Sequence, residues 1–175
     1  MHGYTLFDTE IGRCAIAWGE RGIAAVELPG RDDAATVRRI RRALPNAVET
    51  PPPADVARAV AAIQRLLAGE PEDLADVVVD LDGVPDFHRR VYDVARAIRP
   101  GETRSYGDIA RALGEPGAAQ AVGRALGSNP VPIVVPCHRV LAADGTLHGF
   151  SAPGGIHTKR RMLEAEGALA PALFS

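Results

Sequence analysis

The stretch Ser128-Asn129-Pro130-Val131-Pro132-Ile133-Val134-Val135-Pro136-Cys137-His138-Arg139-Val140-Leu141 is the most informative in the chain. An apolar run bounded by prolines delivers Cys137, followed directly by His138 and Arg139. A thiol attacks only as thiolate, and adjacent basic or cationic groups favour that form. Neighbours in an extended chain point to opposite sides, so His138 is expected to reach Cys137 through a water. An imidazole acting as base needs a third group to orient it, and a carboxylate serves.

Before this stretch the chain reads as helices. One starts at Asp86 as N-cap, places Phe87, Val91, Val94, Ala95 and Ile98 on one face, and ends at Pro100-Gly101. Ser105 caps a second, with Asp108 three residues on as a capping box and Gly114 just past its end. Pro116 opens a third. Helices at 106–113 and 117–126, joined by a turn containing glycine, have the layout of a helix-turn-helix. In the later of the two, Ala118, Ala121, Val122, Ala125 and Leu126 are small or apolar, while Gln120 and Arg124 share a face. Taken alone, that composition means tight helix packing. After the cysteine stretch a helix spans 158–166, and Lys159-Arg160-Arg161 reads as its solvated face.

The first third reads as an antiparallel meander of strands at 4–8, 13–18 and 23–28, separated by glycine-containing turns. Cys14 alternates with Ile16 and Trp18, which points to core packing. Helical spacing follows at 34–44 (Val37, Ile40, Leu44) and 54–68 (Val56, Val60, Ile63, Leu66, Leu67), with Pro51-Pro52-Pro53 breaking the chain between them. Residues 77–79 suit a strand. The expected fold class is α/β: a small N-terminal antiparallel sheet with helices over 1–80, a linker at 81–85, then a mostly helical domain over 86–175 containing the helix-turn-helix.

Composition narrows the function classes. The 175 residues, 46% hydrophobic and 24% charged, suit a globular protein and exclude a disordered, coiled-coil or collagen-like chain. No apolar run approaches the roughly 20 residues of a membrane helix, and Met1-His2-Gly3-Tyr4 lacks a signal-peptide layout. A cytoplasmic protein with no membrane partner is therefore expected. Net charge is −4 over residues 1–80 and +2 over 81–175, which places an anionic partner on the C-terminal half. Two cysteines build neither a disulfide framework nor a four-cysteine zinc site. His2, His88, His148 and His157 have no ligand spacing and read as surface or loop residues.

Pro136-Cys137-His138-Arg139-Val140, with Asn129-Pro130 before it, resembles the active-site signature of the O6-alkylguanine-DNA alkyltransferase (methylated-DNA–protein-cysteine methyltransferase) family. Thr103-Arg104-Ser105-Tyr106 upstream and Glu164-Ala165-Glu166-Gly167 downstream extend the resemblance over about residues 87–167. It implies irreversible, single-turnover transfer of an alkyl group from O6-alkylguanine in duplex DNA to Cys137, with O4-alkylthymine as a second candidate base. His138, through a water, is the implied base, Glu166 holds it, Asn129 braces the turn, and Tyr106 donates its hydroxyl. The base must be flipped from the stack. The second helix of the pair would enter the minor groove, with Gln120, Ala121, Gly123, Arg124 and Ser105 toward DNA. Pro132, Val140, Phe150 and Ser151 would line the substrate pocket. Neither cofactor nor metal is implied, and a monomer is expected.

This chain departs from the family pattern at two places. Gln120 stands where an intercalating arginine is usual, which predicts weaker DNA binding or a less stable flipped state. Ala152-Pro153 reads as an insertion in the pocket loop, with Phe150 in place of tyrosine. The competing readings are a non-catalytic lesion binder, against which Cys137 itself argues, an alkylation-sensing DNA-binding regulator and, more distantly, a thiol hydrolase.

Overall fold

The structure is a computed structural model that describes residues 2–147 and 155–169. Strands β1 (Gly3–Thr9), β2 (Gly12–Gly19) and β3 (Gly22–Glu27) form the expected antiparallel meander. A further strand, β4 (Val48–Glu49), runs parallel to β1, so the sheet is mixed, in the order β3-β2-β1-β4, rather than purely antiparallel. Helix α1 (Asp33–Ala43) carries the chain across the sheet and returns it beside β1, where Val48 N–H donates to His2 O and Thr50 N–H to Tyr4 O. The three prolines that follow have no N–H to continue the ladder.

Alternation along β2 buries both faces of the sheet. Cys14, Ile16 and Trp18 join the larger core, while Ala15 and Ala17 pack with Tyr4, Ala25 and Ile40 of α1. Helix α2 (Ala54–Leu67) contributes Val56, Ile63, Leu66 and Leu67 to the larger core, which continues into the C-terminal half through Val91, Ile109, Val122 and Val135. The outer edge of β3 is covered. Ile23 N–H donates to Val78 O, Asp80 N–H to Ile23 O, and Val26 N–H to Pro130 O. Residues 77–79 therefore meet the sheet as a single bridge, Ile23 with Val79, and not as a strand.

Helix α3 (Asp86–Arg96) starts one residue earlier than a capping Asp86 would have it. Pro85 holds the cap position, and Asp86 acts on the positive helix end without a capping hydrogen bond. From α3, Arg89 donates to Leu81 O and Val84 O, and Arg96 to Leu74 O, Ala75 O and Val77 O. The two guanidiniums hold the connection at 74–84 against the helix.

Helix α4 (Tyr106–Ala112) has a complete capping box. Ser105 Oγ accepts Asp108 N–H at 3.0 Å, and the Asp108 carboxylate accepts Ser105 N–H at 2.9 Å. A capping interaction of this kind stabilises a helix by about 1 kcal/mol. The helix ends on Gly114 at φ +75°, with Gly114 N–H to Arg111 O and Glu115 N–H to Ala110 O, a Schellman closure. That closure keeps Pro116 in the turn, so α5 (Ala119–Gly127) starts later than Pro116. Helix α5 packs on α3 and α4. The buried Tyr92 hydroxyl donates to Ala125 O at 2.6 Å, and burial, then the nearby Cys137, push that phenol up to about 12.

The last helix, α6 (Gly155–Ala165), begins before the expected 158 and stops one residue short of Glu166. Gly167 at φ +77° closes it, with Gly167 N–H to Glu164 O and Ala168 N–H to Leu163 O. Among the described residues no helix is long and apolar enough to cross a membrane.

Candidate active site

The loop between α5 and the site cysteine is folded by Asn129. Its Oδ1 accepts Val131 N–H at 2.9 Å and its Nδ2 donates to Val135 O at 2.8 Å, while Val135 N–H reaches Val131 O. Inside this ring Ile133 sits at φ +74°, a left-handed conformation that costs a β-branched residue of order 1–3 kcal/mol. Full burial of Ile133 and the surrounding hydrogen bonds keep it there. Cys137–Arg139 then forms one 3-10 turn, where an extended chain was expected. Cys137 N–H bonds Val135 O, and Arg139 N–H bonds Pro136 O, which curls the chain. Beyond it β6 (Val140–Leu141) pairs parallel with β5 (Arg104–Ser105). This small ladder brings Ser105 and Tyr106, the first residue of α4, beside the cysteine loop.

Cys137 is a free thiol with 8% of its surface exposed. Burial pushes the thiol up, against the Asn129 hydrogen bond and the Lys159 charge, which pull it down. The resting group is thus a neutral thiol whose proton must leave on reaction. The His138 ring has no exposure, and its Nε2 lies 2.9 Å from Glu166 Oε2. A carboxylate partner keeps a proton on Nε2, which leaves the lone pair on Nδ1. Nδ1 is buried and makes no hydrogen bond among the described residues.

Glu166 is held by two partners. Arg139 Nε donates to Oε1 at 2.9 Å and Nη2 to Oε2 at 2.6 Å, while Nη1 donates to Ile98 O at 2.7 Å. Burial alone raises the Glu166 carboxyl. Electrostatic attraction and a hydrogen bond from the His138 ring, then the hydrogen bonds and charge of Arg139, outweigh it and bring the group down to about 2. Arg139 had no role assigned from sequence, although it stands in the quoted pentapeptide. Arginine is the side chain suited to a buried bidentate grip on a carboxylate.

Lys159 overturns the expectation of a solvated lysine. It is 1% exposed, its Nζ donates to Val140 O at 2.7 Å, and it lies 6.0 Å from the Tyr106 ring centroid. Burial lowers this amine, and the nearby Cys137 raises it. The signal was present in the spacing: Lys159, Met162, Leu163 and Glu166 fall at i, i+3, i+4 and i+7 on one helix face. Tyr106 is half-buried, and burial, then Cys137, raise its phenol, so it stays a donor near neutral pH.

The remaining expected residues divide by environment. Gln120 and Arg124 lie on the exposed face of α5, opposite buried Val122, Ala125 and Leu126. Ala121 is half-buried, and a Cβ on Gly123 would stand 3.9 Å from the Tyr106 ring. The Ser105 hydroxyl is engaged in the α4 cap. Pro132 is half-buried and bridges to Val135, and Val140 is buried with its carbonyl engaged by Lys159. Phe150, Ser151 and the Ala152-Pro153 insertion lie outside the described residues. Cys14 is buried in the sheet, and desolvation, partly offset by Thr9, pushes its thiol up to about 12, which makes it inert. His157 is exposed on α6, as expected of a surface residue, while His88 is half-buried on α3 and packs edge-on against Phe87 and Tyr92.

Fold and site together define a class: a small α/β protein that presents a buried thiol backed by an imidazole and a clamped carboxylate. Residues 86–168 match the 6-O-methylguanine DNA methyltransferase, DNA binding domain family. The chain is 50% identical over 123 residues to the methylated-DNA–protein-cysteine methyltransferase of Mycobacterium bovis, covering 70% of this chain and 72% of that protein. It is similar in structure to the O6-methylguanine methyltransferase of Mycobacterium tuberculosis, with 38% identity, TM-score 0.78, and coverage of 98% of this chain and 96% of the other. The Mycobacterium tuberculosis OGT structure in complex with DNA gives 38% identity, TM-score 0.76, and coverage of 97% and 96%. The chain belongs to the methylated-DNA–protein-cysteine methyltransferase family.

Proposed function

We propose that this protein repairs DNA by moving an alkyl group, methyl in the simplest case, from O6 of guanine in a duplex onto Cys137, once per molecule. The observation that carries the reading is the buried His138–Glu166–Arg139 array, two of whose members directly follow a buried thiol. His138 Nδ1 takes the thiol proton through a water. The Cys137 sulfur forms a bond to the alkyl carbon as the bond from that carbon to O6 breaks. The departing oxyanion accepts a hydrogen bond from the Tyr106 hydroxyl, which lowers the barrier. The proton lost by the thiol is balanced by the one that guanine gains. Glu166 orients His138 and stabilises its charged form, and Asn129 holds the loop. The thioether has no route back to thiol, so turnover ends at one.

The DNA partner lies along α5 in this reading. Gln120 fills the place of the flipped base, Arg124 contacts phosphate, and Ala121 and Gly123 permit close approach to the minor groove beside Ser105. Pro132 and Val140 line the base pocket. The protein acts as a monomer without cofactor, in the cytoplasm. Residues 86–175 carry the chemistry, and 1–80 form the supporting domain, joined through 81–85.

Intact-protein mass measurement after incubation with a duplex carrying one O6-methylguanine tests this. The expected gain is one methyl per protein, mapped to the Cys137 peptide, and none in Cys137→Ala, which still binds the lesion duplex. Transfer by Cys137→Ala would refute the assignment.

A further inference from the structure

Arg161 joins α6 to the N-terminal sheet. Its Nη2 donates to Glu10 O at 2.6 Å and its Nη1 to Ile11 O at 3.4 Å, both in the turn between β1 and β2. That turn is firm. The Thr9 hydroxyl donates to Gly12 O at 2.6 Å and accepts Ile11 N–H at 3.2 Å, and Ile11 is buried in the larger core. The guanidinium thus grips a fixed feature of the sheet. Its acceptors are neutral carbonyls, so the fork geometry of arginine, and not charge pairing, makes the contact.

The helix so held is the one that brings Lys159 to Val140 and ends one residue before Glu166. Glu166 lies five positions after Arg161, about 7.5 Å along the helix axis. Glu166 meets His138 at 2.9 Å, and hydrogen bonds of that length weaken when either partner shifts by a few tenths of an ångström. We infer that Arg161 is a positioning residue. Through it the β1–β2 turn sets where α6 holds Glu166 against His138, and so the rate at which Cys137 accepts the alkyl group. This rests on the relay proposed above and extends it to the N-terminal sheet, which otherwise takes no part in the chemistry.

The test measures single-turnover transfer at saturating O6-methylguanine duplex, duplex affinity and the thermal midpoint in the parent, Arg161→Met, Arg161→Lys and Glu166→Gln proteins. Arg161→Met is expected to slow transfer about five- to tenfold, since small misplacements of reacting groups carry large rate costs. Affinity should be unchanged, and Arg161→Lys, which keeps one donor, should recover part of the rate. Transfer by Arg161→Met within twofold of the parent, with Glu166→Gln slow, overturns the positioning role and leaves the relay standing. Weakened affinity with an unchanged saturating rate makes Arg161 a DNA contact and also overturns it. A joint fall of rate and thermal midpoint with no recovery by lysine reduces Arg161 to packing. A parental rate in Glu166→Gln removes relay and positioning role together.

Discussion

Helix α5 turns Val122, Ala125 and Leu126 inward and leaves Gln120 and Arg124 in solvent, whereas α6 turns Lys159 inward beside Met162 and Leu163 and leads directly to the buried side chain of Glu166. The first obeys the ordinary amphipathic rule. The second breaks it, and Lys159 and Glu166 have their compensation supplied from elsewhere in the chain. Val140 O serves Lys159, and Arg139 and His138 serve Glu166. A surface that meets a charged polymer gains from solvent-exposed side chains. A site that moves a proton gains from charges removed from water, where each interaction is stronger. Local rules are broken where function requires it.

The comparison is broken most sharply at Glu166. Glu166→Gln is expected to slow single-turnover transfer about a hundredfold, the scale of an acid–base contribution, while DNA affinity holds. The same residue gives a pH signature. Its folded carboxyl lies at about 2, against 4.5 for the free group. The stability it contributes is therefore fully present above about pH 4.5 and is lost as pH falls toward 2. Urea midpoints measured across that window should fall in the parent protein and stay flatter in Glu166→Gln.

Helix α5 should respond in the opposite way. Gln120→Arg is expected to tighten duplex binding several-fold at low salt and to steepen the salt dependence by roughly one unit, as one added phosphate contact does. Repair should speed up, with the thermal midpoint unmoved. Titration at several salt concentrations checks this, and an unchanged slope would place the wedge elsewhere. The smallest effect belongs to the packing behind α5. Tyr92→Phe removes the buried hydroxyl that fastens α3 to Ala125 of α5 and should cost about 1 kcal/mol in urea unfolding, with transfer near the parent rate.

Elements whose signals are local were legible in the chain. The meander, α2, the α4 capping box and the Gly114 stop each follow from spacing or from a residue that only one conformation suits. The structure departs from the local signals where a distant partner changes the outcome. The β4 pairing to β1 depends on where α1 returns the chain, and the start of α5 depends on how the Gly114 closure spends its next residues. At the site, Cys137, His138, Asn129 and Tyr106 stood out by motif. Lys159 reads as solvated beside the two arginines that follow it, and only its spacing to Met162, Leu163 and Glu166 puts it on the buried face.

The sequence by itself determined the chemical parts: a thiol next to an imidazole, the prolines that shape its loop, and Gly167 that stops α6 beside Glu166. Those are properties of single residues and near neighbours, where sterics and local hydrogen bonds decide. Only the tertiary structure decided that Glu166 is clamped by Arg139, that Lys159 donates to Val140 O, and that Arg161 fastens α6 to the β1–β2 turn. Each joins groups far apart in the chain. Such contacts form only after the core has closed and removed the competing water, so no local pattern records them.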